Sequence, residues 1–345
     1  MTMRRVLLPQ HFSGHPLPAG AVIRDVNGLS MGTSWSVRLL DGGAGTDLQS
    51  DLQGQLDAVV AQMSHWRDDS DLSRFNAAPA GRWQVLPAEF FHVLAFAMGV
   101  AGDSGGAYDP CAGALIDAWG FGAAGRFGQP DFVAPPPPRV AQLLAWHRSH
   151  RIELDPAQRR ARQPGGVRLD FSAVAKGYAV DRLALYLEAR GIYHYLVEVG
   201  GELRGAGTKP DGLPWWVALE QVGDLRTGAG APPAAPLPEI ALALHGLSVA
   251  TSGDYRRYFH QDGQVYSHTI DPRSGAPVSN GLASVTVVHE ACMAADAWST
   301  ALTVLGPEAG LALAERLGLA VRFVSRADGG FSEILSSAFL QMLDE

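Results

Sequence analysis

The stretch Val167–Leu203, VRLDFSAVAKGYAVDRLALYLEARGIYHYLVEVGGEL, constrains the fold more than any other segment of the chain. Its apolar residues change period twice, and backbone geometry sets the period. Val167–Phe171 alternates, with Leu169 and Phe171 on one face and Asp170 on the other, as a short strand does. From Val174 the positions Val174, Tyr178, Leu183 and Leu187 follow a helical repeat, and Gly191 stands where a helix closes on a left-handed glycine. Tyr195–Val199 returns to strand and stops at Gly200-Gly201. The chain must therefore turn sharply between Asp170 and Lys176. Asp170, Ser172 and Lys176 gather at that turn, beside the free backbone groups of a helix start. An anionic ligand suits such a place, and so does an ordinary capped helix with one surface lysine.

The remaining segments surround this unit with both kinds of element. Ser30–Leu40 alternates Trp35, Val37 and Leu39 on one face, which predicts a half-buried strand. Leu48, Leu52, Leu56, Val59, Met63 and Trp66 mark one face of a helix, followed by a polar loop over Arg67–Asn76. A second helix is expected from Pro87 to about Gly102. Four consecutive prolines make Gly125–Pro138 an extended connection, ahead of a short helix at Val140–His147 and a hairpin at Ile152–Arg162. Further strands are expected at Pro214–Glu220, Ile240–Thr251, Ser284–Val288 and Ala320–Ser325, and helices at Ala291–Leu305 and Pro307–Leu317. Gly42–Thr46 reads as a turn and Gly223–Pro238 as a mobile loop. Residues 1–29 read as a flexible arm ahead of one domain over 30–345. Strand pairs and helices without a regular βαβ rhythm predict an α+β fold.

Composition narrows the partners. The 345 residues carry a formal net charge of −8 and are 47% hydrophobic, which disfavours nucleic acid. No run reaches the ~20 apolar residues of a membrane span, so no stable membrane insertion is expected. The opening MTMRRVLLPQ has only Val-Leu-Leu between its arginines and Pro9, too short for the roughly 7–15-residue core of a secretory signal. A cytoplasmic location is expected on that ground. Cys111 and Cys292 lack metal-type spacing and read as reduced structural thiols.

Three groups of residues carry possible chemistry. In AADAWSTAL, residues 294–302, Asp296 and Thr300 are four apart on a helix and project from one face. An oxygen-only pair suits Mg²⁺; a threonine bonded back to the preceding turn beside a solvated aspartate would look the same. In YSHTIDPRSGAPV, residues 266–278, His268 could accept a proton near neutral pH, with Asp271 as its orienting carboxylate. A loop histidine bonded to backbone is the plain alternative. In GAYDPCAGAL, at Gly200-Gly201 and at Ser252-Gly253, glycines permit close backbone approach to a ligand or simply make turns. No GxGxxG or GxxxxGK[ST] fingerprint is present.

The order of the motifs says more than any one of them. MGTSWSV (31–37), MSHWRDDSDLSRFN (63–76), GAYDPCAGALIDAWGFG (106–122), LDFSAVAKGYAVDR (169–182), LVEVGGELRGAG (196–207), VATSGDYRRYF (249–259), YSHTIDPRSGAPV (266–278) and AADAWSTAL (294–302) together resemble the ApbE family of FAD:protein FMN transferases. The resemblance implies an α+β fold of two T-fold-like halves with antiparallel sheets and packed helices around a central FAD cleft. It also implies Mg²⁺-dependent transfer of FMN from FAD to a Thr or Ser hydroxyl of a target flavoprotein, with release of AMP. Asp296 and Thr300 match the metal side chains, and Ala173 matches the residue whose carbonyl joins them. Met31, Trp66, Ala107, Tyr108, Asp109, Asp170, Lys176 and Ile270 match flavin-nucleotide contacts, and His268 matches the base for the acceptor hydroxyl. Trp66 stands where a tyrosine is common, keeping an aromatic platform without its hydroxyl. Two other readings need similar residues: an FAD pyrophosphatase giving free FMN and AMP, and a non-catalytic flavin-binding protein.

Overall fold

A computed structural model describes residues 4–12, 14–41, 47–124, 126–222, 237–254, 257–261, 263–327 and 330–344. The expected turn at 42–46 and the 223–236 part of the expected loop lie outside the described residues. The chain opens with β1 (Arg4–Leu7), β2 (Val22–Ser30), β3 (Thr33–Asp41) and α1 (Leu48–Met63). Next come α2 (Asp71–Asn76), β4 (Trp83–Val85), α3 (Ala88–Asp103), α4 (Gly113–Ala118), α5 (Pro137–Ser149), β5 (Glu153–Asp155) and β6 (Arg160–Arg162). The middle holds α6 (Ala175–Glu188), β7 (Tyr195–Val199), β8 (Glu202–Ala206), β9 (Trp215–Ala218), β10 (Glu239–Leu244) and β11 (Leu247–Gly253). Then follow β12 (Tyr258–Gln261), β13 (Gln264–Ser267), β14 (Ile270–Asp271), β15 (Ala276–Pro277) and β16 (Leu282–His289). The chain closes with α7 (Cys292–Leu317), β17 (Ala320–Ala327), β18 (Gly330–Leu335), α8 (Ser337–Leu340) and β19 (Leu343–Asp344). The fold is α+β.

Two compact units divide the chain. Unit 1 comprises Met1–Asp57, Lys176–Gly253 and Gly281–Glu345; unit 2 comprises Ala58–Ala175 and Asp254–Asn280. In unit 1 an eight-stranded sheet runs β18-β17-β16-β11-β8-β7-β3-β2, every neighbouring pair antiparallel. Trp35, Val37 and Leu39 are buried along β3, as their alternation predicts. A second sheet, β19-β1-β10-β9, shares a core with it that includes Leu7, Trp215, Leu242, Val249 and Phe339. Burying an aliphatic side chain such as Leu7 contributes about 1.5–3 kcal/mol.

That second sheet corrects the expected arm. β1 pairs parallel with β10 and antiparallel with β19, and β2 forms the edge of the larger sheet. The pairing partners of β1 lie far along the chain, so no local pattern announced it. Ile240–Thr251 is not one strand but two, turned at Gly246, whose φ is +71°. The expected helices flanking Gly306-Pro307 form one helical stretch broken at Gly306, where φ is 81° and ψ 176°. α6 closes as its glycine predicts: Ile192 N–H reaches Leu187 O at 3.0 Å and Gly191 N–H reaches Glu188 O at 2.9 Å, with Gly191 left-handed.

Unit 2 holds α2 to α5, the sheet β4-β6-β5 and the small pairs β12-β13 and β14-β15. The loop expected at Arg67–Asn76 contains α2, because Ser70 caps it by accepting from Ser73 N–H at 3.0 Å. The proline run is only partly extended: α5 begins at Pro137, since proline at the first helical turn loses no needed donor. The strand expected at Val167–Phe171 is replaced by a single bridge between Arg168 and Ala112. Asn76 supplies what a strand neighbour would, its side chain accepting from Leu169 N–H at 2.7 Å and donating to Leu169 O at 3.0 Å. Both cysteines are free and buried, and burial pushes both thiols up. Among the described residues no helix is long and apolar enough to cross a membrane.

Candidate active site

The candidate residues fall in both units. Met31, Lys176, Asp296 and Thr300 belong to unit 1, and the rest belong to unit 2. Asp296 and Thr300 lie one turn apart on α7. Asp296 is only 4% exposed, and its Oδ2 accepts from Gly177 N–H at 2.9 Å. The first N–H groups of a helix have no acceptor within it, so the start of α6 finds one on α7. Gly177 is what allows the approach: a Cβ there would lie 2.4 Å from Cys292 O and 2.8 Å from Asp296 Cβ.

The hydroxyl of Thr300 meets Ser252 Oγ at 3.1 Å, and Ser252 also contacts Ser299 Oγ at 2.7 Å. Back-bonding to the preceding turn falls instead to Ser299 and Thr303, which donate to Asp296 O and Ser299 O, each at 2.8 Å. Lys176 forms an ion pair with Glu202. Glu202 is buried, and its Oε2 has no hydrogen-bond partner among the described residues. Burial, against the pull of Lys176 and with a push from Asp296, raises its carboxyl to about 7. Burial likewise raises Asp296, opposed by Lys176 and by Gly177 N–H.

These observations test the pair against Mg²⁺. The donors are all oxygen, and the buried Asp296 carboxylate lacks full compensation, which a cation would supply. Among the described residues no three His, Cys, Asp or Glu side chains gather into a metal cage. The residues fit.

Met31 sits at the tip of the β2–β3 hairpin with φ 53°, followed by Gly32 at φ 73°. Two left-handed residues are what a tight hairpin of this hand requires, and methionine is an uncommon choice for the first.

In unit 2, the segment Ala107-Tyr108-Asp109 is buried and runs beside Asp170, whose N–H donates to Pro110 O at 2.8 Å. Asp109 is bonded to His147 and Arg151, each at 3.2 Å, and to Cys111 N–H at 2.8 Å. Burial works against its ionisation, but these partners outweigh it and hold the carboxyl below its ordinary value. Asp170 accepts from Ser172 N–H at 2.7 Å and lies 3.7 Å from His65. Ala173 occupies the turn in which Val174 and Ala175 N–H both reach Phe171 O. Ile270 is buried in an aromatic cluster with Trp119, Phe121 and Phe259.

His268 Nδ1 lies 3.0 Å from Arg257 O. A carbonyl can only accept, so Nδ1 donates this bond. The expected orienting role of Asp271 is not seen: its two oxygens take Arg273 Nε at 2.9 Å and Nη2 at 3.0 Å. Arg257 also lines a pocket of about 470 Å³ with Trp66, Gly120, Arg126, Phe127, Gly128 and Gln129. Trp66 is 47% exposed there, lies beyond the end of α1, and has the Arg126 guanidinium 5.0 Å from its ring centroid.

The sequence reading points to Ser252 only through its Ser-Gly pair, and to Gly177, Glu202 and Arg257 not at all as site residues.

The ApbE family profile matches residues 31–323. The FAD:protein FMN transferase of Haemophilus influenzae is 36% identical over 327 residues, covering 92% of this chain and 91% of the relative. That of Vibrio cholerae is 36% identical over 326 residues, covering 93% and 92%. Among solved structures, the apo flavinyl transferase ApbE of Pseudomonas stutzeri superposes with a TM-score of 0.81 at 38% identity, covering 93% of this chain and 97% of that one. The flavin transferase ApbE of Vibrio cholerae gives 0.82 at 34%, covering 93% and 99%.

Proposed function

The chain belongs to the ApbE family and is a flavin transferase, and on that premise we propose that it moves FMN from FAD to a Thr or Ser hydroxyl of an acceptor flavoprotein, with Mg²⁺ and with release of AMP. The observation that carries the proposal is the buried Asp296, fastened to the first turn of α6 and sharing its helix face with Thr300. Binding a flavin alone would not call for an under-compensated carboxylate there. Asp296 and Thr300 would hold the cation, with the Ala173 carbonyl added by the resemblance. When bound, the cation offsets charge growing on the phosphates.

The chain's own residues supply the rest. His268, whose Nδ1 is bonded to Arg257 O, takes the acceptor's hydroxyl proton. The acceptor oxygen then bonds to the FMN phosphorus as the bond to the AMP oxygen breaks. Lys176, paired with Glu202 in the structure, would offset charge on the pyrophosphate. Trp66 and Met31 contact the flavin nucleotide, along with Ala107, Tyr108, Asp109, Asp170 and Ile270.

The test incubates the chain with FAD, Mg²⁺ and an acceptor domain bearing a target threonine. A mass gain of one FMN residue on the acceptor is expected. Free FMN and AMP with an unmodified acceptor would replace transfer by hydrolysis, and neither product would leave a binding role. His268→Ala should bind FAD and lose transfer; transfer at the original rate across pH would remove His268 as the base.

A further inference from the structure

The helix that carries Asp296 does not cap itself. α7 is preceded by Ala291, whose side chain offers its first turn no acceptor. The acceptor comes from α6: Asp181 Oδ1 takes Cys292 N–H at 3.0 Å and Oδ2 takes Met293 N–H at 2.9 Å. Arg204 Nη1 donates to the same Oδ1 at 2.7 Å and holds the carboxylate from the other side. Asp181 is 8% exposed.

Gly177 and Asp181 are four apart, so one face of α6 presents an N–H donor and, a turn later, a carboxylate. α7 presents the complement, two N–H donors and, a turn later, Asp296. Each helix thus supplies the anion that the other's N-terminus attracts. The two carboxylates sit at the ends of one clasp, and slackening the Asp181 end lets the first turn of α7, and Asp296 with it, move away from Gly177.

We propose that Asp181 is a positioning residue that fixes Asp296 in its cation-binding place and so sets the affinity of the site for divalent metal. The inference rests on the reading of Asp296 as a metal ligand. Removing the partner that orients a ligand costs roughly 10–100-fold in metal affinity.

The experiment measures Mn²⁺ binding by calorimetry to the FAD-loaded full chain, with no turnover involved. Asp181→Asn, close in shape but left with one acceptor and an opposing amide, should weaken Mn²⁺ by about tenfold or more while FAD binding without metal stays within about twofold. Leu313→Ala, beyond the break in α7, serves as the control for a merely structural effect: it should lower the melting temperature and leave Mn²⁺ affinity unchanged. Unchanged affinity in Asp181→Asn, or an equal loss in Leu313→Ala, overturns the proposal. Asp296→Ala is run in parallel. If it binds Mn²⁺ like the parent, the ligand reading itself falls; if it loses Mn²⁺ while Asp181→Asn keeps it, only the positioning role falls. Should Asp181→Asn fail to fold, amide exchange in the unmodified chain decides. Cys292 and Met293 N–H should be protected, unlike ordinary first-turn amides, and more so once FAD and Mn²⁺ are added; free exchange in both states overturns the inference.

Discussion

Gly177 N–H donates to Asp296 Oδ2 at 2.9 Å, so the start of α6 is tied to a side chain 119 residues further on. The contact depends on a missing Cβ, since one at Gly177 would lie 2.4 Å from Cys292 O. Gly177→Ala must part the helices or shift Asp296. It should cost about 1–3 kcal/mol in denaturant melts, as overpacking does, and reduce FMN transfer by at least about tenfold, a loss equivalent to 1.4 kcal/mol. A variant with parental stability and rate would show that the approach of the two helices is not needed.

Met31 holds a left-handed φ of 53°, which costs a side-chain-bearing residue roughly 1–2 kcal/mol. Met31→Gly removes that strain and should raise stability by about 0.5–1 kcal/mol. If the methionine is kept for contact with the flavin nucleotide, the same change weakens FAD several-fold in equilibrium titration. A gain in stability with undiminished FAD binding would remove Met31 from the site.

Glu202 gives a pH signature. Burial lifts its carboxyl from the ordinary 4.5 to about 7, so between these values the folded chain holds more protons than the unfolded one. Stability from this group is therefore greatest at the acid end and declines as pH rises through the window. Glu202→Gln lacks the decline. Urea melts should show the variant gaining steadily on the parent as pH rises from 4.5 to 7, then keeping a constant difference. A flat difference across the window would mean that Glu202 ionises as readily folded as unfolded.

The break in α7 makes a fourth case. Gly306 has φ 81° and ψ 176°, a region that only glycine enters freely. Gly306→Ala should destabilise by about 1–3 kcal/mol while leaving the KM for FAD unchanged, since Asp296 and Thr300 lie before the break. A raised KM would mean that the two halves of α7 move as one.

How much of this could be read from the residues follows from how far their partners lie. Trp35, Val37 and Leu39, or Leu48 through Met63, declare a strand and a helix because burial acts on their own period. Gly191 declares a helix end because its φ is a local demand. The strand expected at 167–171 failed because the backbone of Leu169 is satisfied by Asn76, 93 residues away. β1 was missed for the same reason. In the candidate site the oxygen donors of Asp296 and Thr300 are visible in the sequence as a helix-face pair. The partners that give Asp296 its setting, Gly177, Lys176 and Glu202, come from α6 and β8, and no spacing in α7 points to them. His268 is legible as a candidate base, but the group its Nδ1 meets is the Arg257 carbonyl, which any residue carries.

The order β7-β3 in the large sheet has a consequence for synthesis. Trp35 faces Val199 across that pair, and the ribosome must add about 150 residues between the strands, including most of unit 2. At roughly 5–20 residues per second this is a wait of about 10–30 s. Throughout it β3 has β2 on one side and α1 against Trp35, whose Nε1 donates to Gln53 Oε1 at 2.9 Å, while its other edge stays open to other chains. The nascent chain therefore presents the edge of β3 early and its partner β7 late, which gives a ribosome-associated chaperone a segment to shield at residues 33–41.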